Sequence, residues 1–178
     1  MTAIERERLA TLDAPSTKKS FVLLTAAIVA LVVGIGSFAG GVFGAWYTWD
    51  QAVAQDVVTP DDAVIPATPV RGPFTMWAQA DIITHHQLAS TDGLYYAQMP
   101  RTVAQVDENG QAVLDENGEA VMVPNEARSS WMNATVLTTA LSLGVVSYAM
   151  AAFAIVVGLA LVFTGIVFLY IRKRAVLL

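Results

Sequence analysis

Two long runs without a charged residue, 20–49 and 129–171, decide what this chain of 178 residues can become. Crossing about 30 Å of hydrocarbon takes roughly 20 helical residues at about 1.5 Å each, and both runs exceed that length. No third run does. Composition points the same way: 55% of residues are hydrophobic, 14% are charged and the mean hydropathy is +0.54, more apolar than a soluble domain of this size. The expected fold class is a membrane protein with two transmembrane α-helices and a small α+β extracytoplasmic domain inserted between them.

The basic residues set the expected orientation. Arg6, Arg8, Lys18 and Lys19 precede the first run, and Arg172, Lys173 and Arg174 follow the second, seven of the ten Lys and Arg residues. Between the runs stand Arg71, Arg101 and Arg128 against twelve acids, a net charge of −9. Translocated loops are poor in Lys and Arg, so both termini are expected in the cytoplasm of a plasma-membrane protein, with the centre outside. Such an acidic centre argues against nucleic acid as a partner. A cleaved signal peptide is the rival reading of the first run, helped by the small residues Ala52-Val53-Ala54. Its apolar stretch is about twice the length of a signal core, so a retained anchor is expected. There is no cysteine, which excludes disulfides, thiolate metal sites and lipoprotein attachment.

The expected organisation is a cytoplasmic arm over residues 1–20, a span over 21–49 and an outer domain over 50–128. A long helix over 129–171 and a tail over 172–178 complete it. In the arm, residues 4–9 suit a helical turn that Pro15 would end. In the first span Gly36, Gly40 and Gly44 stand four apart on one face, a row that lets another helix, internal or foreign, approach closely. Trp46, Tyr47 and Trp49 suit an interfacial belt. Pro60, Pro66, Pro69 and Pro73 make residues 51–73 an extended connection. A helix is expected over about 74–88, with Phe74, Trp77 and Ala78 joining Ile82 and Ile83 in one apolar stripe.

An eight-residue repeat follows: Asp107-Glu108-Asn109-Gly110-Gln111-Ala112-Val113-Leu114, then Asp115-Glu116-Asn117-Gly118-Glu119-Ala120-Val121-Met122. Asn-Gly between Val-rich arms signals a hairpin, because both residues tolerate positive φ, so a β-meander is expected over about 102–123. A calcium loop shares part of this pattern, but its closing bidentate Glu has no counterpart. Residues 131–171 would run to roughly 60 Å as a helix, more than a bilayer needs, so the helix should begin outside and pack on the outer domain or on another protein. Asn133-Ala134-Thr135 also matches a glycosylation sequon, a pattern common by chance.

Chemistry is sparse. His85 and His86 are the only histidines, and adjacent helical residues point about 100° apart, a poor start for one metal. The spans hold no ionisable acid or base that would make a proton relay. No catalytic residue, cofactor or metal is expected.

Three blocks carry a resemblance. Gly72-Pro73-Phe74, then Ala78-Gln79-Ala80-Asp81-Ile82-Ile83 with His86, and finally Met132-Asn133-Ala134 resemble a small actinobacterial family of two-span membrane proteins. The likeness covers residues 70–88 and 130–146 and the overall layout; the octet repeat is a departure, the family's loop being shorter there. It implies Gly72, Pro73, Phe74, Gln79, Asp81, His86 and Asn133 as motif residues of the outer domain. Members are often labelled aromatic ring-opening dioxygenases, which the missing third iron ligand argues against. The likeness instead implies a non-catalytic accessory subunit of the actinobacterial respiratory supercomplex, where a cytochrome bc complex with tethered c haems joins a cytochrome oxidase. Its partners would be that complex and the lipid bilayer. The alternative is a stand-alone envelope sensor or adaptor with a ligand-binding outer domain.

Overall fold

The computed structural model describes residues 17–177, so most of the expected arm, including residues 4–9 and Pro15, lies outside the described residues. In chain order the elements are helix α1 (Thr17–Ala54), helix α2 (Pro73–Ser90), a 3-10 turn (Tyr96–Gln98), strands β1 (Thr102–Ala104) and β2 (Met122–Pro124), and helix α3 (Glu126–Leu177). The described residues form two compact units, one of 17–47 with 148–177 and one of Thr48–Ser147.

Two helices are long and apolar enough to cross a membrane, over Ser20–Ala54 and Glu126–Arg174. The most apolar window of each is only 11% buried, whereas the core helix of a soluble protein would be mostly covered. Such a surface wants an apolar solvent.

In the first unit α1 and the second part of α3 lie antiparallel, and small residues set their separation. A Cβ on Gly34 would stand 2.8 Å from both Gly158 O and Val162 N; one on Gly41 would stand 2.7 Å from Ala151 O. From the other side, a Cβ on Gly158 would meet Phe38 N at 2.5 Å, and one on Gly165 would meet Ala27 O at 3.0 Å. Backbone therefore touches backbone. Ala27, Gly34 and Gly41 stand seven apart, as do Ala151, Gly158 and Gly165. A seven-residue seam belongs to left-handed, coiled-coil-like packing. Ser20 and Arg172 close the unit's charged end, Arg172 Nε donating to Ser20 Oγ at 3.2 Å.

The second unit begins with the last turns of α1. Residues 55–72 are not the extended connection that the prolines suggest. Val58 and Pro69 form an antiparallel bridge, and Val70 N donates to Val57 O at 2.8 Å. Thr59, only 2% exposed, ties the loop shut: its hydroxyl donates to Ile65 O at 2.5 Å and accepts from Thr68 N at 3.0 Å. The prolines prevent helix, and one buried hydroxyl supplies the partners that closure requires.

Helix α2 starts where Pro73 takes a first-turn position and Thr75 Oγ1 accepts from Gly72 N at 3.1 Å. It ends as Thr91 N and Gly93 N both donate to Leu88 O. Its buried residues are Met76, Ala78, Ile82 and Gln87. The expected stripe is corrected here: Phe74 is 76% exposed and Trp77 52%. Met76, not its aromatic neighbours, faces α3, its Sδ against Gly144 where a Cβ would stand 2.5 Å away.

Trp131 on α3, 6% exposed, is the hub of the core, packed with Met99 and Ala134 and flanked by Ile83, Leu88 and Ala127. Its Nε1 donates to Leu94 O at 2.9 Å, and its ring lies 5.4 Å from that of Tyr95. The first turns of α3 thus do pack on the elements between the two long helices.

The expected meander is replaced by a three-way junction. Among the described residues β1 and β2 form the only ladder, Thr102 opposite Pro124 through Ala104 opposite Met122. In a meander those outer arms would not pair. The central arm bridges both through Val106–Ala112 and Leu114–Ala120. Gln105 N donates to Val121 O, Val121 N to Val113 O and Val113 N to Gln105 O, at 2.7–2.9 Å. This hydrogen-bonded ring is spaced by the eight-residue repeat. A central arm of only three residues, 112–114, cannot carry a ladder to both neighbours, so the three arms close on one another.

Candidate functional site

The motif residues divide by role. Gly72 and Pro73 build the start of α2, which explains their presence without chemistry. Phe74 and Asp81 share the exposed face of α2 with Trp77 and His85, at spacings of three, four and four. Gln79 lies half-buried with Oε1 covered and unpartnered among the described residues. Asn133 is exposed on α3, pointing away from the Trp131 and Ala134 face. These residues do not converge on one point.

His86 has a definite partner. Its Nε2 lies 2.6 Å from Asp62 Oδ2, which ties α2 to the closed loop of residues 55–72. The hydrogen bond from His86 holds the Asp62 carboxyl below its ordinary value of 3.8. Both side chains are about half exposed, so the contact is a solvent-screened clasp. His85 points elsewhere, its ring centre 6.4 Å from that of His86.

The repeat's acids have structural duties. Asp107 Oδ1 accepts from Asn109 N at 2.9 Å and Gln111 N at 2.8 Å; Asp115 does the same with Asn117 and Glu119. Those backbone donors, Gln111 and Glu119 foremost, lower both carboxyl pKa values. Gly110 and Gly118 alone in each turn take positive φ, at 78° and 81°, so Asn109 and Asn117 do not adopt the twin positive angles that Asn-Gly tolerates. The geometry is a type I turn closed by a left-handed glycine. Among the described residues no group of three or more His, Asp or Glu is placed to hold a metal ion.

One polar cleft of about 220 Å³ lies in the second unit, lined by Tyr96, Arg101, Asn125, Arg128 and Met132 among others. Arg128 stacks 4.1 Å over the Tyr96 ring and its guanidinium donates to Met99 O at 3.1 Å. Within a strongly acidic segment, two of its three basic residues are gathered here.

The glycine row divides as well. Gly44 stands near Ala151, where a Cβ would be 3.9 Å from the alanine's own, whereas Gly36 and Gly40 have nothing within 4 Å. The internal seam uses Gly34, Gly41, Gly158 and Gly165 instead, four residues that a search for spacings of four passes over. The signal that reveals them is a spacing of seven in both helices at once. Comparison with protein-family models, curated proteins and solved structures finds no match.

Proposed function

We propose that this chain is a non-catalytic accessory subunit of a membrane protein complex, spanning the plasma membrane twice with both termini cytoplasmic. The observation that carries the reading is the division of glycines in α1. A hairpin needs one smooth face, which Gly34 and Gly41 supply; Gly36 and Gly40 give the same helix a second, open one. In lipid such a face suits a foreign helix, because close backbone approach is what holds spans together. The exposed Phe74 and Trp77 on the outer unit add apolar area that its own core does not use. The motif blocks at residues 72–86 and 132–134 direct the proposal to the respiratory supercomplex of a cytochrome bc complex and a cytochrome oxidase. Purifying these complexes in mild detergent and searching them by mass spectrometry tests it. The chain is expected in the haem-containing fractions, and its absence from all of them refutes the assignment.

A further inference from the structure

At the charged end of the hairpin an apolar groove of about 640 Å³ opens between the two helices. Its walls include Phe21, Ala26, Val29 and Val33 of α1 and Leu161 and Phe168 of α3. The two threonines in it are already spoken for: Thr25 Oγ1 donates to Phe21 O at 3.1 Å and Thr164 Oγ1 to Ala160 O at 2.8 Å. The wall therefore offers an occupant only dispersion contacts. From residue 21 to residue 33 it runs about 18 Å, close to the roughly 15 Å of hydrocarbon in one leaflet. A foreign transmembrane helix would need a face along the whole span; this groove stops half-way.

The mouth has the opposite character. Ser20 precedes Phe21 and accepts from Arg172 Nε, which places that guanidinium at the groove's end. A guanidinium has five N–H donors, and this bond uses one. Lys173 and Arg174 follow on α3, Arg174 lying 5.1 Å over the Tyr170 ring, and Lys18 and Lys19 stand in the first turn of α1. Arg172 thus stands at one end of an apolar channel one leaflet long, with Lys173 and Arg174 next to it in the chain. An acyl chain fits the channel, and a phosphate diester fits the mouth.

We propose that this groove binds an anionic phospholipid of the leaflet at the basic end, with one acyl chain along α1 and the phosphate on Arg172. The proposal rests on the membrane reading given above. It is tested on the full-length chain in mild detergent, titrated with phosphatidylglycerol or phosphatidylcholine of equal acyl length and read by native mass spectrometry. Phosphatidylglycerol should be retained at least about fivefold better, the size of effect that one basic side chain exerts at a membrane surface. Arg172→Gln should remove most of that preference and Arg172→Lys should keep it. Ala26→Phe, which fills the groove from one wall, should lower retention of both lipids. Circular dichroism and protease resistance check that each variant keeps the hairpin. Equal retention of the two lipids by the folded wild type, or no effect of Ala26→Phe, overturns the proposal and leaves the groove to a protein partner. Release of the chain from membranes by alkaline carbonate would overturn the membrane reading itself.

Discussion

Gly158→Ala should weaken the hairpin while Gly40→Ala leaves it unchanged. The added methyl at Gly158 would stand 2.5 Å from Phe38 N, 2.7 Å from Gly34 O and 2.9 Å from Phe38 Cα, all backbone atoms that no rotamer change can move. Ordinary contact begins near 3.4 Å, so the helices must part by roughly 1 Å at that level. A gap of that size forfeits about a quarter to a half of each contact well along the seam. The expected cost is about 1–3 kcal/mol, the usual scale of overpacking. At Gly40 the methyl meets nothing within 4 Å, and the change should stay within about 0.5 kcal/mol. The sequence has no cysteine, so a dye pair can be placed on cysteines introduced at Val22 and Leu169, near the end that Ser20 and Arg172 close. Energy transfer followed through a dodecyl sulfate titration then reports separation of the helices. The Gly158→Ala chain should separate at a clearly lower detergent fraction than wild type. Coincident curves for the Gly158 and Gly40 variants would refute the seven-residue seam.

Other expectations concern the second unit. Trp131→Phe removes the donor to Leu94 O and should cost about 1–3 kcal/mol, seen as earlier thermal unfolding and faster proteolysis of residues 91–101. Thr59→Val keeps the shape but strands Thr68 N and Ile65 O, so the 55–72 loop should become protease-sensitive before the rest of the unit unfolds. Because its partner lowers the Asp62 pKa, the clasp with His86 should persist through neutral and mildly acid pH, where Asp62 is ionised. It should be lost as pH falls through that lowered value. The His86 ring signals in an NMR titration should show an inflection below 3.8 that Asp62→Asn abolishes. Finally, Asp107→Ala should expose the amides of Asn109 and Gln111 to rapid hydrogen exchange, while Asp107→Asn keeps an acceptor oxygen and much of their protection.

The two helices long and apolar enough to cross a membrane were legible because length and charge avoidance leave a one-dimensional record. The α2 helix was legible from its apolar spacing and the two turns from the Asn-Gly pairs. What escaped depended on relations between distant segments. A row of glycines four apart describes one helix by itself, whereas the actual contact needs Gly34 and Gly41 to meet Gly158 and Gly165, and antiparallel supercoiling selects sevens. Phe74 and Trp77 read as core because they are large and apolar, yet Met76 takes the face toward α3 through a gap that only Gly144 provides. The closing of the proline-rich loop hangs on a single hydroxyl, Thr59, which looks like any other threonine in the sequence. The side-chain partner of the motif residue His86 is Asp62, an aspartate outside every motif block that no spacing in the sequence joins to it.

The ring of Gln105, Val113 and Val121 makes the repeat a removable cassette. Each octet leaves the junction and returns the chain to an equivalent point, so excising residues 107–114 would join Val106 to Asp115 and leave an ordinary hairpin on the same ladder. Thr102–Ala104 and Met122–Pro124 would keep their register, and with it the cap that leads into α3. Losing five or seven residues instead would misalign every arm. Length variation in this tip is therefore quantised in eights, a freedom that lets its reach change without disturbing the unit beneath.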